Sequence, residues 1–104
     1  MLHTELVNCL LIELSKRKDI RVWKNNTGVL KNDSGEYIRF GLNGSADIIG
    51  ILKKNGKMIC IEVKTGNAVQ SKVQKNFEKM ILDYNGYYIV GRSIQQVIDF
   101  IEKV

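Results

Sequence analysis

Two short segments dense in isoleucine and valine, residues 46–52 and 57–63, are separated by Lys53-Lys54-Asn55-Gly56. An Asn-Gly step between two such runs is a strong short-range hairpin signal, because both residues tolerate the positive φ of a tight turn. The pair predicts two antiparallel strands side by side at the centre of a sheet. Downstream, Ser71 opens a helical pattern (Val73, Phe77, Met80, Ile81, Tyr84) that Asn85-Gly86 stops, and residues 87–90 read as a strand. A strand reached through a helix lies parallel to its neighbour, so the expected fold class is α/β, a mixed β-sheet flanked by helices.

The remaining elements fit the same plan. Residues 2–18 place Leu2, Leu6, Val7, Leu10, Leu11 and Leu14 on one helical face, with Lys16, Arg17 and Lys18 expected to close the last turn. Residues 20–24 alternate as a strand, with Trp23 expected in the core or on a sheet face. Residues 29–40 read as a hairpin around Asn32-Asp33-Ser34-Gly35. Ser93 caps a last helix whose Ile94, Val97, Ile98 and Ile101 face inward. The order is α-β-(β-hairpin)-β-β-α-β-α. No proline, low-complexity tract or repeat marks a boundary, so residues 1–104 are expected to form one domain.

Composition narrows the function classes. Sixteen basic residues against 11 acidic ones give a formal charge of +5, which favours a polyanionic partner, nucleic acid first. No apolar run approaches the ~20 residues a membrane span needs, and Met1-Leu2-His3-Thr4-Glu5 is no basic leader, so neither membrane nor secretion is expected. Cys9 and Cys60 have no pairing or zinc spacing and read as buried free thiols in a reducing cytoplasm. No phosphate-binding glycine loop of either nucleotide class occurs, so no nucleotide cofactor is expected. His3, alone near a terminus, reads as a solvated surface residue.

Chemistry concentrates around the central pair. Glu62 and Lys64, two apart in a strand, project to one face, while Ile59, Ile61 and Val63 take the other. Alone they are an ordinary ion pair. Asp47, however, heads the partner strand, and the turn lies midway between it and Glu62. Asp47 is otherwise a turn residue after Asn43-Gly44-Ser45. Two carboxylates brought together repel unless a cation sits between them, and oxygen ligands of this kind describe a magnesium site. Lys64 could then hold the attacking water or neutralise charge on a phosphate. Glu5 could reach such a metal through water, or simply favour the first helical turn. Gln74 fits the S-x-x-Q capping box begun by Ser71 and could also point into the site; the two roles are compatible.

Asp47, followed fifteen residues later by Glu62-Val63-Lys64, resembles the D…E-x-K signature of the PD-(D/E)xK nuclease superfamily, with Ala46 where the superfamily's name has proline. The surrounding text is more specific: Glu5 in the first helix, Asn26-Thr27-Gly28, Arg39-Phe40-Gly41-Leu42-Asn43-Gly44-Ser45-Ala46-Asp47, Glu62-Val63-Lys64-Thr65-Gly66, Gln70-Ser71-Lys72-Val73-Gln74 and Val90-Gly91-Arg92-Ser93. Together these resemble a stand-alone VRR-Nuc (virus-type replication-repair nuclease) domain over nearly the whole chain, with Gly91 departing from the usual second position of the last motif. The resemblance implies a restriction-endonuclease-like core (α-β-β-β-α-β) and a metal-dependent DNA endonuclease; a bacterial or phage origin would fit so minimal a chain. Asp47, Glu62 and the Val63 carbonyl would hold magnesium or manganese, Lys64 would be the catalytic lysine, and Glu5 and Gln74 would be accessory. It also implies branched DNA as substrate and a Holliday-junction-resolvase-like homodimer. Ser71, Arg92, Lys72, Lys75 and Lys79 become phosphate contacts, or else the solvated face of the second helix. The alternatives are a non-catalytic DNA-binding module or a nuclease of flap, nick or duplex preference.

Overall fold

The alternation of buried and exposed residues along the central strands fixes which way the sheet faces. A computed structural model describes residues 1–104, and in it the elements run α1 (His3–Ser15), β1 (Ile20–Lys24), β2 (Gly28–Lys31), β3 (Tyr37–Phe40), β4 (Ile48–Leu52), β5 (Met58–Val63), α2 (Lys72–Asp83), β6 (Tyr87–Gly91) and α3 (Ile94–Lys103). Four strands form a mixed sheet in the order β1-β4-β5-β6; β1, β4 and β5 are antiparallel, and β6 joins parallel to β5 after the α2 crossover. The molecule is an α/β fold with three helices, none of them long and apolar enough to cross a membrane.

One face of the sheet carries Ile20, Val22, Ile48, Leu52, Ile59, Ile61 and Val63 under Leu6, Val7, Leu10 and Leu14 of α1 and Val97 and Ile101 of α3. The other face is smaller: Cys60 and Tyr88 are covered by Phe77 and Ile81 of α2. Burial holds the Cys60 thiol up at about 12, so it stays protonated and inert. Cys9, expected to be buried, is only partly so.

Several local expectations shift. The first helix stops at Ser15, and Lys16 caps it instead of occupying its last turn. Arg17 leaves the helix to pair with Asp19 and Glu102, fastening the α1–β1 connection to α3. Val73 lies on the exposed side of α2 and Tyr84, exposed too, caps its C-terminus, so the buried stripe is narrowed to Phe77 and Ile81, with Met80 partly covered. Trp23 is on a sheet face but not in the core, and it remains 48% exposed. Gly50 is required by packing: a Cβ there would stand 2.8 Å from Val22 Cγ1 and 2.6 Å from the Arg21 carbonyl.

The β2–β3 hairpin forms its own two-stranded sheet, and every residue in it except Gly28 is exposed. Its register sorts the side chains by face. Leu30, Ile38 and Phe40 share one face, with the Phe40 ring against Gly28, while Val29, Lys31, Tyr37 and Arg39 share the other. Lys31 Nζ lies 5.9 Å from the Tyr37 ring centre.

Candidate active site

The register between β4 and β5 pairs Ile48 with Ile61, so one step further Asp47 stands across from Glu62. Asp47 lies just outside β4, where its side chain takes over a ladder position: Asp47 Oδ2 accepts the Val63 N–H at 2.8 Å. Its segment is tied to β1 by Asn25, whose N–H donates to the Asp47 carbonyl and whose amide donates to Ser45 Oγ and the Ala46 carbonyl.

Glu62 is only 2% exposed. Its Oε2 accepts a 2.6 Å hydrogen bond from Gln74 Nε2, and Lys64 Nζ stands 3.8 Å from the same oxygen. Glu62 Oε1 is buried with no partner at all. Burial is the largest force on this carboxyl, followed by the charge of the adjoining Asp47 carboxylate; Lys64 pulls the other way. The net effect pushes Glu62 up to about 8. A carboxylate in this position lacks enough positive charge to stay ionised at neutral pH, and a cation at Oε1 would remove that deficit.

Gln74 performs both roles open to it. Its Oε1 accepts the Ser71 N–H at 2.8 Å while Ser71 Oγ accepts the Gln74 N–H, which is the capping box, and its Nε2 reaches Glu62. The first turn of α2 is held in place by the loop before Asp47. Gly44 has φ +79°, and a Cβ on it would lie 2.5 Å from the Val73 carbonyl oxygen. Gly44→Ala is therefore expected to cost about 1–3 kcal/mol through strain and displacement of α2. Denaturant unfolding checks this; an unchanged midpoint would show that the loop does not seat α2.

The structure distributes the other sequence candidates differently. Glu5 is exposed and its carboxylate accepts the Leu2 N–H at 3.2 Å; it caps its own helix and makes no hydrogen bond to Asp47 or Glu62. Nowhere do three His, Cys, Asp or Glu side chains gather in ligating geometry. Arg92 spends its guanidinium on the Gly66 and Ala68 carbonyls, bracing the loop after Lys64. Lys72, Lys75 and Lys79 are exposed on α2 and form no ion pair.

Two residues join the site unannounced. His3 is exposed, as expected, yet its Nε2 also donates to Asp47 Oδ2 at 3.2 Å, placing the start of α1 against the carboxylate. Asn25 is the second, and its position directly after a β-branched strand is the only sequence signal it offers. Asp47 Oδ2 is thus doubly engaged by Val63 and His3, whereas Oδ1 has no hydrogen-bond donor. The arrangement can chemically offer two carboxylate oxygens to a cation, with an ammonium beside them. No family model matches this chain, and no curated protein matches it either.

Proposed function

We propose that the protein is a metal-dependent DNA endonuclease of the VRR-Nuc family, with the PD-(D/E)xK core. The observation that carries this reading is Glu62 Oε1, a buried carboxylate oxygen without a partner directly beside Asp47. A buried ion pair or a purely structural carboxylate would have both oxygens satisfied. Two carboxylates with free oxygens suit magnesium or manganese, which take one or two protein carboxylates and keep waters. Asp47, Glu62 and the Val63 carbonyl are the residues that would hold the ion, so the donor set fits. The ion would polarise a phosphate oxygen and lower the pKa of a bound water.

The chain's own groups do the rest. His3 and the Val63 N–H fix one oxygen of Asp47, leaving the other free, and Gln74 fixes Glu62 in the same way. Lys64, 16% exposed, is placed to hold an attacking water or to balance charge growing on the phosphate. The uncommitted lysines of α2 suit contacts to the DNA backbone, which carry no sequence preference. The bare apolar face of Leu30, Ile38 and Phe40 supports a homodimer, because a two-stranded ribbon is marginal alone.

A labelled four-way junction, a flap, a nicked duplex and a plain duplex, each incubated with magnesium, manganese or chelator, test the reading. Product ends are expected only with metal and most from the branched substrates. No cleavage of any substrate under either ion would remove the enzymatic reading.

A further inference from the structure

The face of the sheet that carries Asp47 and Glu62 is only half covered. The paired registers place three rows across it: Arg21, Ile51 and Met58; Trp23, Ile49 and Cys60; and, one step on, Asn25, Asp47 and Glu62. Phe77 and Ile81 of α2 close over the Cys60 and Tyr88 end. Towards β1 the face is left open, with Trp23 of β1 at 48% and Ile51 of β4 at 44% exposure.

Trp23 is the chain's one tryptophan. It sits one strand away from Asp47 and one row along, about 7 Å along the strand direction and about 5 Å across it. That is close to the span of a single nucleotide. Two residues before Trp23 on β1, Arg21 projects from the same face, at an open groove of about 800 Å³ that also gathers Lys18 and Lys53 beside Ile51. None of these three cations is committed to an ion pair. A large exposed aromatic ring next to a basic groove favours an occupant with flat π-faces and a polyanionic backbone, which is a nucleic acid strand with its bases unstacked. A paired duplex buries its base faces and has nothing to offer the indole.

We infer that Trp23 is the stacking platform for a base of an unpaired or branch-point strand, one nucleotide from the carboxylates, with Lys18, Arg21 and Lys53 along its backbone. This rests on the nuclease reading and narrows its substrate to a strand that has left the duplex.

Because no other tryptophan emits, stacking reports itself directly. The full chain in chelator is titrated with single-stranded oligothymidine, a forked duplex and a blunt duplex, following tryptophan emission and, separately, binding by anisotropy of labelled DNA. The expected result is saturable quenching by the single strand and the fork, with little by the blunt duplex. Trp23→Ala should weaken fork binding about tenfold or more, while Trp23→Phe, which retains a ring, should keep most of the affinity. Circular dichroism melts of both variants separate binding from folding. Fork binding without quenching, or an equal loss for fork and blunt duplex in Trp23→Ala, overturns the stacking role and leaves the nuclease reading standing. Failure of the unsubstituted protein to bind any of the three DNAs overturns both.

Discussion

In chelator at about pH 9, Glu62→Gln is expected to melt roughly 5 °C or more above the unsubstituted protein, while losing manganese binding and DNA cleavage. The stability gain follows from the same burial that makes the residue useful. Glu62 ionises at about 8 in the folded chain against an ordinary value of 4.5. A group raised in this way contributes full stability below about pH 4.5, where it is neutral folded and unfolded alike. The loss accumulates as pH rises towards 8 and is complete above it. The groups facing it are Asp47, which drives the proton on, Lys64, which opposes that, and Gln74, which is neutral. A glutamine has no charge to bury and can donate its amide to Asp47, so the difference between the two melts should open between pH 4.5 and 8 and close in acid. Melting curves across that range decide it. A variant less stable than the parent at pH 9 would mean that the carboxylate is well compensated without a metal, and the case for a cation at Oε1 would fail. The opposed signs, stability gained and function lost, are expected where a site stores an unfavourable charge for a ligand to relieve.

The carboxylate pair was legible in the sequence because it depends on local geometry. Once Asn55-Gly56 sets the turn, antiparallel register dictates which residue meets Glu62, and period-two alternation dictates the shared face. Gln74 was half legible: the cap is written in Ser71-Lys72-Val73-Gln74, but the bond to Glu62 depends on α2 crossing the end of β5. His3 was not legible, since 44 positions separate it from Asp47 and only the packing of α1 brings them together. Glu5 illustrates the converse. An acid in a first turn has a nearby backbone N–H to satisfy, and that contact won. Alternation also identified Tyr37, Ile38 and Phe40 as strand residues without revealing that all three remain exposed. Trp23 shows the same gap: its face follows from the pattern, whereas its exposure follows from α2 lying over β5 and β6 and stopping short of β1.

Lys64→Ala should separate ion binding from turnover. The ammonium lies 3.8 Å from Glu62 Oε2, and its charge favours the ionised form of that carboxyl without outweighing burial and Asp47. A divalent ion at the carboxylates is repelled by the same ammonium, so removing it should leave manganese affinity unchanged or somewhat tighter. Cleavage should nevertheless fall about a hundred- to a thousandfold, the usual loss when one preorganised group facing developing charge is deleted. Folding should survive, because Lys64 follows β5 and its backbone N–H, which bonds the Gly91 carbonyl, is untouched. Lys64→Arg should recover little, since a planar guanidinium does not reproduce a compact ammonium in a half-buried position. Calorimetric manganese titration together with single-turnover cleavage of a branched DNA measures both quantities on one preparation. Turnover within about threefold of the parent would take Lys64 out of the chemistry. A parallel loss of manganese binding would instead make it a structural partner of Glu62, and the acceleration would have to come from the ion and the two carboxylates alone.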